Sequence, residues 1–338
     1  MIVDGQQPEA IAQAAQALKS GALLGLPTET VYGLAADAGN DAAVVQIFKA
    51  KGRPSNHPLI VHLATAQGVS RFASHVPAFA QKLIDAFWPG PLTLILPRRA
   101  DMAAVAAGGQ TSVGLRCPSH PVAHAVLLAA EALGVYGVAA PSANLFGRVS
   151  PTTAAHVAQE FDDHLLIVDG GACEVGIEST IVDCTRAAPV LLRPGVLTPK
   201  QLSDACGVTV LTPQQSESLT TSAPRASGTL DAHYAPRARV RLMTSEELEQ
   251  ALQKEAKQCD ELIAVWSRSK VQVPEAVKHL VQCHVMPSQP EACAHVLFAQ
   301  LRAFDAQGVK HIWVEAPPFF AAWDGVRDRL TRAAASET

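Results

Sequence analysis

The stretch Lys49-Ala-Lys-Gly-Arg-Pro-Ser-Asn-His-Pro-Leu-Ile-Val-His62 runs from the end of a predicted helix, through a Gly-Pro break, into a short apolar strand. It carries the cations Lys49, Lys51 and Arg53 in a chain of which only 17% of residues are charged. Cations in the last turn of a helix interact favourably with its dipole, so the stretch alone is typical of a solvated helix end. Cations at a turn before a buried strand also suit an anionic ligand, and the rest of the chain favours this second interpretation.

Helical and strand-like patterns alternate on both sides of this stretch. Amphipathic periodicity predicts helices at 8–20, 41–51, 79–87, 122–133 and 153–160. Short apolar runs predict strands at 22–26, 59–63, 92–96, 113–116, 135–140, 165–168, 179–182 and 190–192. Helices that interleave with short strands are typical of the α/β class, here with a mixed sheet.

The composition changes after Pro199. Residues 212–230 are rich in Ser, Thr, Gln and Pro and lack periodicity, as in a linker or a functional lid. Beyond them, strands are predicted at 240–243, 262–266 and 311–314, and helices at 244–257, 291–306 and 322–334. The sequence therefore predicts a larger domain over 1–200, a linker or lid over 201–238, and a smaller α/β domain over 239–338.

The bulk properties exclude several classes of protein. A length of 338 residues favours about two domains, and a net charge of −4 gives no overall attraction to nucleic acid. Seven cysteines without a C-x-x-C pair indicate reduced thiols, and the N-terminal residues do not resemble a signal peptide. The apolar run 121–140 is better explained as a helix followed by a strand than as a membrane span. We expect a cytoplasmic protein with no membrane partner.

Polar clusters follow several of the predicted strands. A single Ser, Thr or Arg at such a place is usually a cap or a turn residue. Cations recur there, however, and the ends of predicted elements carry Lys51, Arg53, Arg116 and Arg193. Ligands of α/β proteins gather at strand ends, and arginine presents a bidentate fork to carboxylate or phosphate. The pattern therefore indicates a site for a polyanion.

Seven motifs occur in order along the chain: Leu26-Pro-Thr-Glu-Thr-Val-Tyr-Gly-Leu34, Lys51-Gly-Arg-Pro54, Pro58-Leu-Ile-Val-His62, Ala140-Pro-Ser-Ala-Asn144, Ser150-Pro-Thr152, Gly176-Ile-Glu-Ser-Thr180 and Leu192-Arg-Pro-Gly195. Together they closely resemble the YrdC-like family, specifically its two-domain L-threonylcarbamoyladenylate synthases. The resemblance is dense over residues 8–200 and continues through His233-Tyr-Ala-Pro236. It implies a twisted mixed sheet with a concave cavity, followed by a smaller Rossmann-like α/β domain.

The resemblance also implies a reaction. Such an enzyme is a nucleotidyltransferase that converts L-threonine, bicarbonate and ATP into L-threonylcarbamoyladenylate and pyrophosphate. We expect Mg²⁺ to accompany ATP, and we assign no metal-ligating residue. The product would feed the tRNA threonylcarbamoyl transferase complex.

The family's functional residues carry over to named positions of this sequence. Its K-x-R and S-x-N residues, which bind the nucleotide, correspond to Lys51, Arg53, Ser142 and Asn144. Lys51 and Arg53 are also the catalytic candidates. Further nucleotide contacts would be His57, Ser112, Ser150, Arg193 and Tyr234. Threonine contacts would be Thr28, Thr30, His62, Arg116, Ala140 and Ser179.

The chemistry of this reaction fits such residues. The threonine amine must form a carbamate, which is a hydrated and poor nucleophile, so a closed cavity has to replace its water with fixed donors. Positioning and charge neutralisation should then dominate, with Lys51 and Arg53 at the phosphates and Arg116 at the threonine carboxylate. No general base is obvious. His62 is one candidate, although a contact to the threonine hydroxyl or carboxylate suits it equally.

Two departures from the family pattern affect details of the site. Residues Ala226-Ser-Gly-Thr-Leu-Asp-Ala-His233 stand where the family more often has Pro-Gly-Met before His-Tyr, and His57 replaces a more usual Asn. In the family this segment folds over the cavity. We therefore expect residues 228–236 to form a lid that excludes water and gates product release.

Two alternative functions stay open at this point. The cationic concavity could hold RNA weakly, although the acidic chain and 5% aromatic content argue against a large RNA footprint. A carbamoyl-adenylate-forming enzyme is the second alternative, as in hydrogenase-maturation proteins. This chain lacks the acylphosphatase and zinc-finger portions expected there.

Overall fold

The computed structural model describes residues 1–216, 223–229 and 232–335. The chain divides into two compact units. The larger unit comprises Met1–Phe146 and Ser150–Thr229, and the smaller unit comprises Gly147–Val149 and Leu230–Thr338. The stretch predicted as a linker is thus divided between the units, and its first part belongs to the larger one.

The larger unit is built on a mixed sheet of ten strands. The strands are β1 (Ile2–Asp4), β2 (Leu24–Leu26), β3 (Gly33–Asp37), β4 (Ile60–His62), β5 (Leu92–Pro97), β6 (Ser112–Arg116), β7 (Val138–Ala139), β8 (Leu166–Asp169), β9 (Thr180–Asp183) and β10 (Val190–Arg193). Their order is β1-β8-β2-β3-β7-β4-β6-β5-β9-β10. Parallel pairs such as β4/β6 alternate with antiparallel pairs such as β5/β6, which confirms the predicted mixed sheet.

Helices accompany this sheet. They are α1 (Pro8–Lys19), α2 (Asp41–Lys51), α3 (Val69–Phe72), α4 (Ala78–Phe87), α5 (Pro121–Ala132), α6 (Ala154–Ala158) and α7 (Pro199–Cys206). One apolar core includes side chains of α2, α4 and the central strands, and a second core includes those of α1, α5 and β2. Leu18 and Leu24 are fully buried in the second core, and burial of each leucine contributes roughly 1.5–3 kcal/mol.

Helix α2 ends where the sequence predicts, and the reason is local. The side chain of Asn40 accepts a hydrogen bond from the Ala43 N–H at the start of the helix. Gly52 adopts a left-handed conformation with φ 63° at its end, which glycine tolerates without strain. Consequently Lys51, in the last turn, is buried, whereas Lys49 is exposed.

Strand β1 and helix α3 were not predicted, and three further elements of the larger unit differ from the prediction. The strand predicted at 135–140 is only Val138–Ala139, although the next residues stay beside the sheet, where the Pro141 carbonyl accepts from the Leu34 N–H of β3 at 2.8 Å. Strand β3 was not predicted, since Gly-Leu-Ala-Ala-Asp has no β-branched residue. Helix α7 lies in the stretch predicted as a linker and begins with a capping box between Thr198 and Gln201.

The smaller unit contains a four-stranded parallel sheet in the order β11-β14-β12-β13. Its strands are β11 (Arg239–Met243), β12 (Ile263–Ser267), β13 (Val281–Val285) and β14 (His311–Glu315), and its helices are α8 (Ser245–Lys254), α9 (Pro290–Ala306) and α10 (Asp324–Ala334). Helix α8 begins with a capping box between Thr244 and Glu247. Strand β13 was missed because its side chains are mostly exposed and mixed in polarity.

Among the residues that the structure describes, no helix combines the length and the apolarity needed to cross a bilayer.

Candidate active site

The loop after β2 is shaped by Thr28. Its hydroxyl accepts from the backbone N–H of Thr30 at 3.3 Å and of Val31 at 3.2 Å, and it donates to the Val31 carbonyl at 2.6 Å. The two threonine hydroxyls lie 2.9 Å apart. Gly33 then allows the loop to pass the neighbouring chain closely, because an added Cβ would lie 3.0 Å from the Cβ of Ala140. Thr28 therefore fixes the loop, and Thr30 points towards Arg116.

Arg116, at the end of β6, joins several segments of the site. Its Nε donates to the carbonyl of Gly90 at 3.2 Å, and its Nη1 donates to the Thr30 hydroxyl at 2.8 Å. Its Nη2 lies 2.6 Å from Oε1 of Glu29, and both side chains are only 4% exposed. This ion pair lacks the alignment of a hydrogen bond, and no hydrogen-bond acceptor for Nη2 exists among the described residues. Arg116 thus keeps donor capacity in a buried place.

His62 ends β4 and lies opposite Arg116 in the parallel β4/β6 pair. Burial, together with the charge of Arg116, lowers the pKa of His62 to about 3. The imidazole is therefore neutral near pH 7. Its Nδ1 has no hydrogen-bond partner within the described parts of the chain. His62 is suited to a hydrogen bond with a ligand but is a weak proton acceptor.

Arg193 connects β10 to the start of β9. Its Nε and Nη2 donate to the carbonyl of Ser179 at 3.1 and 2.8 Å, and Nη2 also donates to the Ser179 hydroxyl at 3.2 Å. That hydroxyl lies 2.8 Å from the hydroxyl of Thr93 on β5. The remaining terminal nitrogen, Nη1, donates to the carbonyl of Ser227 at 3.0 Å. Arg193 therefore orders Ser179 and also reaches the segment 223–229.

Lys51 is buried at the end of α2. Its ammonium donates to the carbonyl of Ser142 at 2.6 Å and to that of Asn144. Burial and the nearby charge of Arg53 lower the pKa of Lys51 well below its usual value, and the charge of Glu160 acts in the opposite direction. In this structure the lysine therefore holds the 142–144 loop in place besides supplying a cationic centre.

Arg53 follows the helix by two residues. Its Nη2 donates to the carbonyl of Pro58 at 3.0 Å and to the hydroxyl of Ser227 at 3.0 Å. Its guanidinium lies 5.7 Å from the centre of the Phe146 ring, and His57 packs edge-on against the same ring at 5.5 Å. Partial burial and the charge of Arg53 lower the pKa of His57. His57 thus lies beside Arg53, as a nucleotide contact would require.

The segment 223–229 is fastened to the larger unit. The Arg225 N–H donates to the Gln110 side-chain oxygen at 2.8 Å, and the Gln110 amide donates to the Arg225 carbonyl at 3.2 Å. The Arg225 side chain also donates to the carbonyl of Gly108 at 3.1 Å. Beneath this segment lies a small cavity, lined by Pro58, Leu59, Ile60, Thr93, Ile95, Gln110, Ser112, Gly114, Ile181, Arg225, Ala226 and Ser227. The segment therefore covers a cavity at the starts of β4 and β6, which the predicted site residue Ser112 lines.

The contacts link most of the predicted site residues of the larger unit. The Ser150 hydroxyl hydrogen-bonds to the carboxylate of Glu178, next to Ser179, and the Ala140 N–H donates to the Ile60 carbonyl at 3.0 Å. Tyr234 lies in the smaller unit. Its ring packs against Phe298 with centroids 5.4 Å apart, so its role at a nucleotide stays a prediction.

Sequence reasoning assigned no role to Glu29, Thr93, Gln110, Glu178 or Ser227. Each acts through a partner far away in sequence, as Thr93 does with Ser179 across 86 positions. Glu29 was visible as an acid between two threonines, but no local pattern indicates its pairing with Arg116.

The site combines buried cations, hydroxyls and one carboxylate around a mixed sheet. These features define its class, an α/β enzyme that binds a small polar ligand together with an anionic one. Family models agree with this class and make it specific. The model described as "Telomere recombination" matches residues 16–195, and that described as "Threonylcarbamoyl-AMP synthase, C-terminal domain" matches residues 197–335.

Relatives with assigned names cover nearly the whole chain. The threonylcarbamoyl-AMP synthase of Bacillus subtilis is 38% identical over 96% of this chain and 92% of its own length. That of Pyrococcus abyssi is 37% identical over 95% and 92%. The crystal structure of P. abyssi Sua5 complexed with L-threonine superposes with a TM-score of 0.87 at 33% identity, covering 99% of this chain and 97% of that one. The chain belongs to the threonylcarbamoyl-AMP synthase family.

Membership confirms the family resemblance and the fold class that the sequence predicts. The named relatives also confirm the predicted type of enzyme, one that forms threonylcarbamoyl-AMP. The fold of E. coli YciO is similar as well, with a TM-score of 0.51 at 22% identity over 60% of this chain.

Proposed function

We propose that the larger unit joins L-threonine, bicarbonate and ATP into threonylcarbamoyl-AMP and pyrophosphate, using the residues described above. The observation that carries this assignment is the row of buried cations at or just after the ends of α2, β6 and β10, namely Lys51, Arg53, Arg116 and Arg193, each less than 10% exposed. Buried cations attract anionic groups strongly, because water screens them little.

Threonine binds at the Arg116 end of the row. The Nη2 of Arg116 is ion-paired with Glu29 but donates no hydrogen bond within the described chain, so it can donate to the α-carboxylate. Neutral His62 and the hydroxyls of Thr30 and Ser179 surround the rest of the amino acid, with Ala140 as its apolar neighbour and Thr28 behind Thr30. Arg116 is already oriented by Gly90 and Thr30, so its guanidinium needs little reorganisation on binding.

ATP binds at the other end of the row. Lys51, Arg53 and Arg193 neutralise the phosphates, while the remaining nucleotide contacts are made by His57, Ser112, Ser142, Asn144, Ser150 and Tyr234. The carbamate oxygen attacks the α-phosphorus and pyrophosphate leaves. The protein contributes mainly positions and fixed charges, since phosphoryl-type transfer needs little covalent help from side chains.

Mg²⁺ is compatible with this site through the substrate. Among the described residues, no group of three His, Cys, Asp or Glu side chains is arranged to hold a metal ion. Mg²⁺ at phosphate sites commonly keeps several waters and binds substrate oxygens with one or two carboxylates. When bound, the ion would supply charge neutralisation, and Glu178 is a carboxylate close to Lys51 that could contact its water shell.

The product leaves for a second enzyme. Threonylcarbamoyl-AMP is a reactive acyl adenylate, and we propose that the tRNA threonylcarbamoyl transferase complex of the cytoplasm consumes it.

The direct test is a reaction of purified protein with ATP, threonine and ¹³C-bicarbonate, followed by mass spectrometry. We expect a labelled adenylate that contains threonine, and one pyrophosphate for each adenylate. Omitting threonine is the control. A labelled carbamoyl-adenylate without threonine would assign the chain to the other reaction, and no labelled adenylate at all would overturn the proposal.

We also propose that the chain from Gly228 to Pro236 acts as a lid, continuing from the fastened segment 223–229. Leu230 and Asp231 lie outside the described residues. Support comes from Ser227, which contacts both Arg53 and Arg193. These two side chains are the proposed phosphate ligands, so binding of the phosphates would change the contacts that hold the segment. A closed lid would exclude water during carbamate attack.

Gln110→Ala is expected to release this segment. The substitution removes two hydrogen bonds to Arg225, each contributing about 0.5–1.5 kcal/mol, so trypsin should cleave after the exposed Arg225 roughly tenfold faster. Fragment mass spectrometry measures this rate, and Gln13→Ala on the exposed face of α1 is the matched control. Protein that has been cleaved after Arg225 should form threonylcarbamoyl-AMP more slowly than the intact protein. Full turnover by the cut chain, or unchanged turnover and ATP affinity in Tyr234→Ala, would contradict the lid.

A further inference from the structure

Glu29 is a buried carboxylate whose hydrogen-bonding capacity is unused. It is 3% exposed, and its backbone carbonyl accepts from the Val175 N–H at 2.7 Å. Its Oε1 lies 2.6 Å from Nη2 of Arg116, but neither carboxylate oxygen accepts a hydrogen bond from the described residues. A buried carboxylate whose oxygens accept no hydrogen bond is costly even beside Arg116, so this arrangement favours a ligand that brings donors.

The neighbouring polar atoms define which ligand fits. Nη2 of Arg116 and Nδ1 of His62 also lack hydrogen-bond partners in the described chain, and Arg116 and His62 face each other across paired strands. Arg116 and Glu29 are paired with each other, yet each keeps hydrogen-bonding capacity that a zwitterion would complement. The carboxylate of an amino acid would pair with Arg116, and its ammonium would then lie at Glu29.

An ammonium at Glu29 must lose a proton before its nitrogen can react. Threonine carries a protonated amine near neutral pH, and that amine has no lone pair until one proton leaves. Burial and Arg116 lower the pKa of His62 to about 3, so His62 accepts a proton poorly. The closest anionic acceptor beside Arg116 is Glu29.

We propose that Glu29 is the proton acceptor that converts the threonine ammonium into the nucleophilic amine. This role rests on the proposed function of the site. It goes beyond a contact, because Glu29 would touch the reacting nitrogen directly.

One N–H proton passes from the ammonium to Glu29, which becomes a neutral acid. Glu29 then protonates bicarbonate, whose C–O bond breaks to give carbon dioxide and water, and the carboxylate is restored. The amine lone pair forms the N–C bond with carbon dioxide, and the second N–H proton leaves to water as the carbamate forms.

Other titratable groups near Glu29 do not compete for this proton. Cys117 and Cys173 both interact electrostatically with Glu29 and Arg116. Burial raises the pKa of the Cys117 thiol to about 11 and that of Cys173 to about 12, so both stay protonated near pH 7. Arg116 is permanently charged, and neutral His62 faces it from β4.

Glu29→Gln tests the proposal through its pH dependence. Turnover is measured from pH 7 to 9 at fixed bicarbonate and saturating threonine, as a ratio to wild type at each pH. We expect a ratio of about 10⁻² or less at pH 7, consistent with loss of a general base. The ratio should rise with pH, by up to about tenfold for each pH unit while the ammonium form predominates, because solution then removes the proton from the amine. Glu9→Gln on the exposed face of α1 should give a ratio of one throughout.

A residue that only holds Arg116 in place would behave differently. Glutamine would then lower the rate by the same factor at every pH, and that result, or a wild-type rate at pH 7, would overturn the proposal. If Glu29→Gln does not fold, Glu29→Asp retains a carboxylate and should keep the wild-type pH profile at a lower rate. An alkaline-dependent profile in Glu29→Asp would also overturn it. A wild type that makes no adenylate would instead refute the proposed function itself.

Discussion

Lys51→Ala is expected to lower the rate of pyrophosphate release by about 10²–10³-fold, the typical loss for one charged donor at a reacting centre. The lysine is 2% exposed and is the cation that ends α2, so solvent cannot replace it. Release of pyrophosphate from ATP in the presence of threonine and bicarbonate measures the effect. Arg53→Ala should behave similarly.

Lys49→Ala is the matched control, because Lys49 lies two residues earlier on the same helix and faces solvent. Lys51→Ala also leaves the carbonyls of Ser142 and Asn144 without a donor. We therefore expect a loss of about 1–3 kcal/mol in the free energy of unfolding. Wild-type turnover in a folded Lys51→Ala or Arg53→Ala variant would refute the assignment of the nucleotide site.

Arg116→Lys should weaken threonine binding by at least about 100-fold. Lysine keeps the charge but cannot donate simultaneously to Gly90, to Thr30 and to a ligand carboxylate in the planar arrangement of a guanidinium. Loss of a partner from a buried charged pair costs about 3–5 kcal/mol, because Glu29 would be left buried with a poorer partner. Isothermal titration with threonine measures the affinity.

Arg99→Lys provides the comparison for this substitution. Arg99 pairs with Asp101 at 2.8 Å, but its side chain is 45% exposed, so the exchange should leave threonine binding unchanged. ATP binding to Arg116→Lys should also be much less affected than threonine binding. If both ligands lost affinity equally, Arg116 would support the site as a whole instead of recognising the amino acid.

Local sequence was sufficient where local physics decides the structure. Helix α2 was predicted with its observed bounds because Asn40 and Gly52 determine its two ends. Strand β3 was not, because its small residues become a strand only through pairing with β2 and β7. Leu211, within the predicted linker, likewise pairs with a distant segment, because its N–H donates to the carbonyl of Pro189 at 2.9 Å.

The site was predictable in its charges but less so in its pairings. Lys51, Arg53, Arg116 and Arg193 stand at the ends of predicted elements and are visible in the sequence. The pairing of Glu29 with Arg116 and the contacts of Ser227 with two arginines depend on how distant segments meet. No local pattern in the sequence specifies such contacts.

Ser227 competes with anions for hydrogen-bond donors of Arg53 and Arg193 in the larger unit. Its hydroxyl and carbonyl occupy one donor each on Arg53 and Arg193. An anion that needs those donors binds only the fraction of molecules in which Ser227 has released them, and its apparent affinity is the intrinsic affinity scaled by that fraction. Substitutions in 223–229 can therefore tighten anion binding without touching the anion, by making the released state more common.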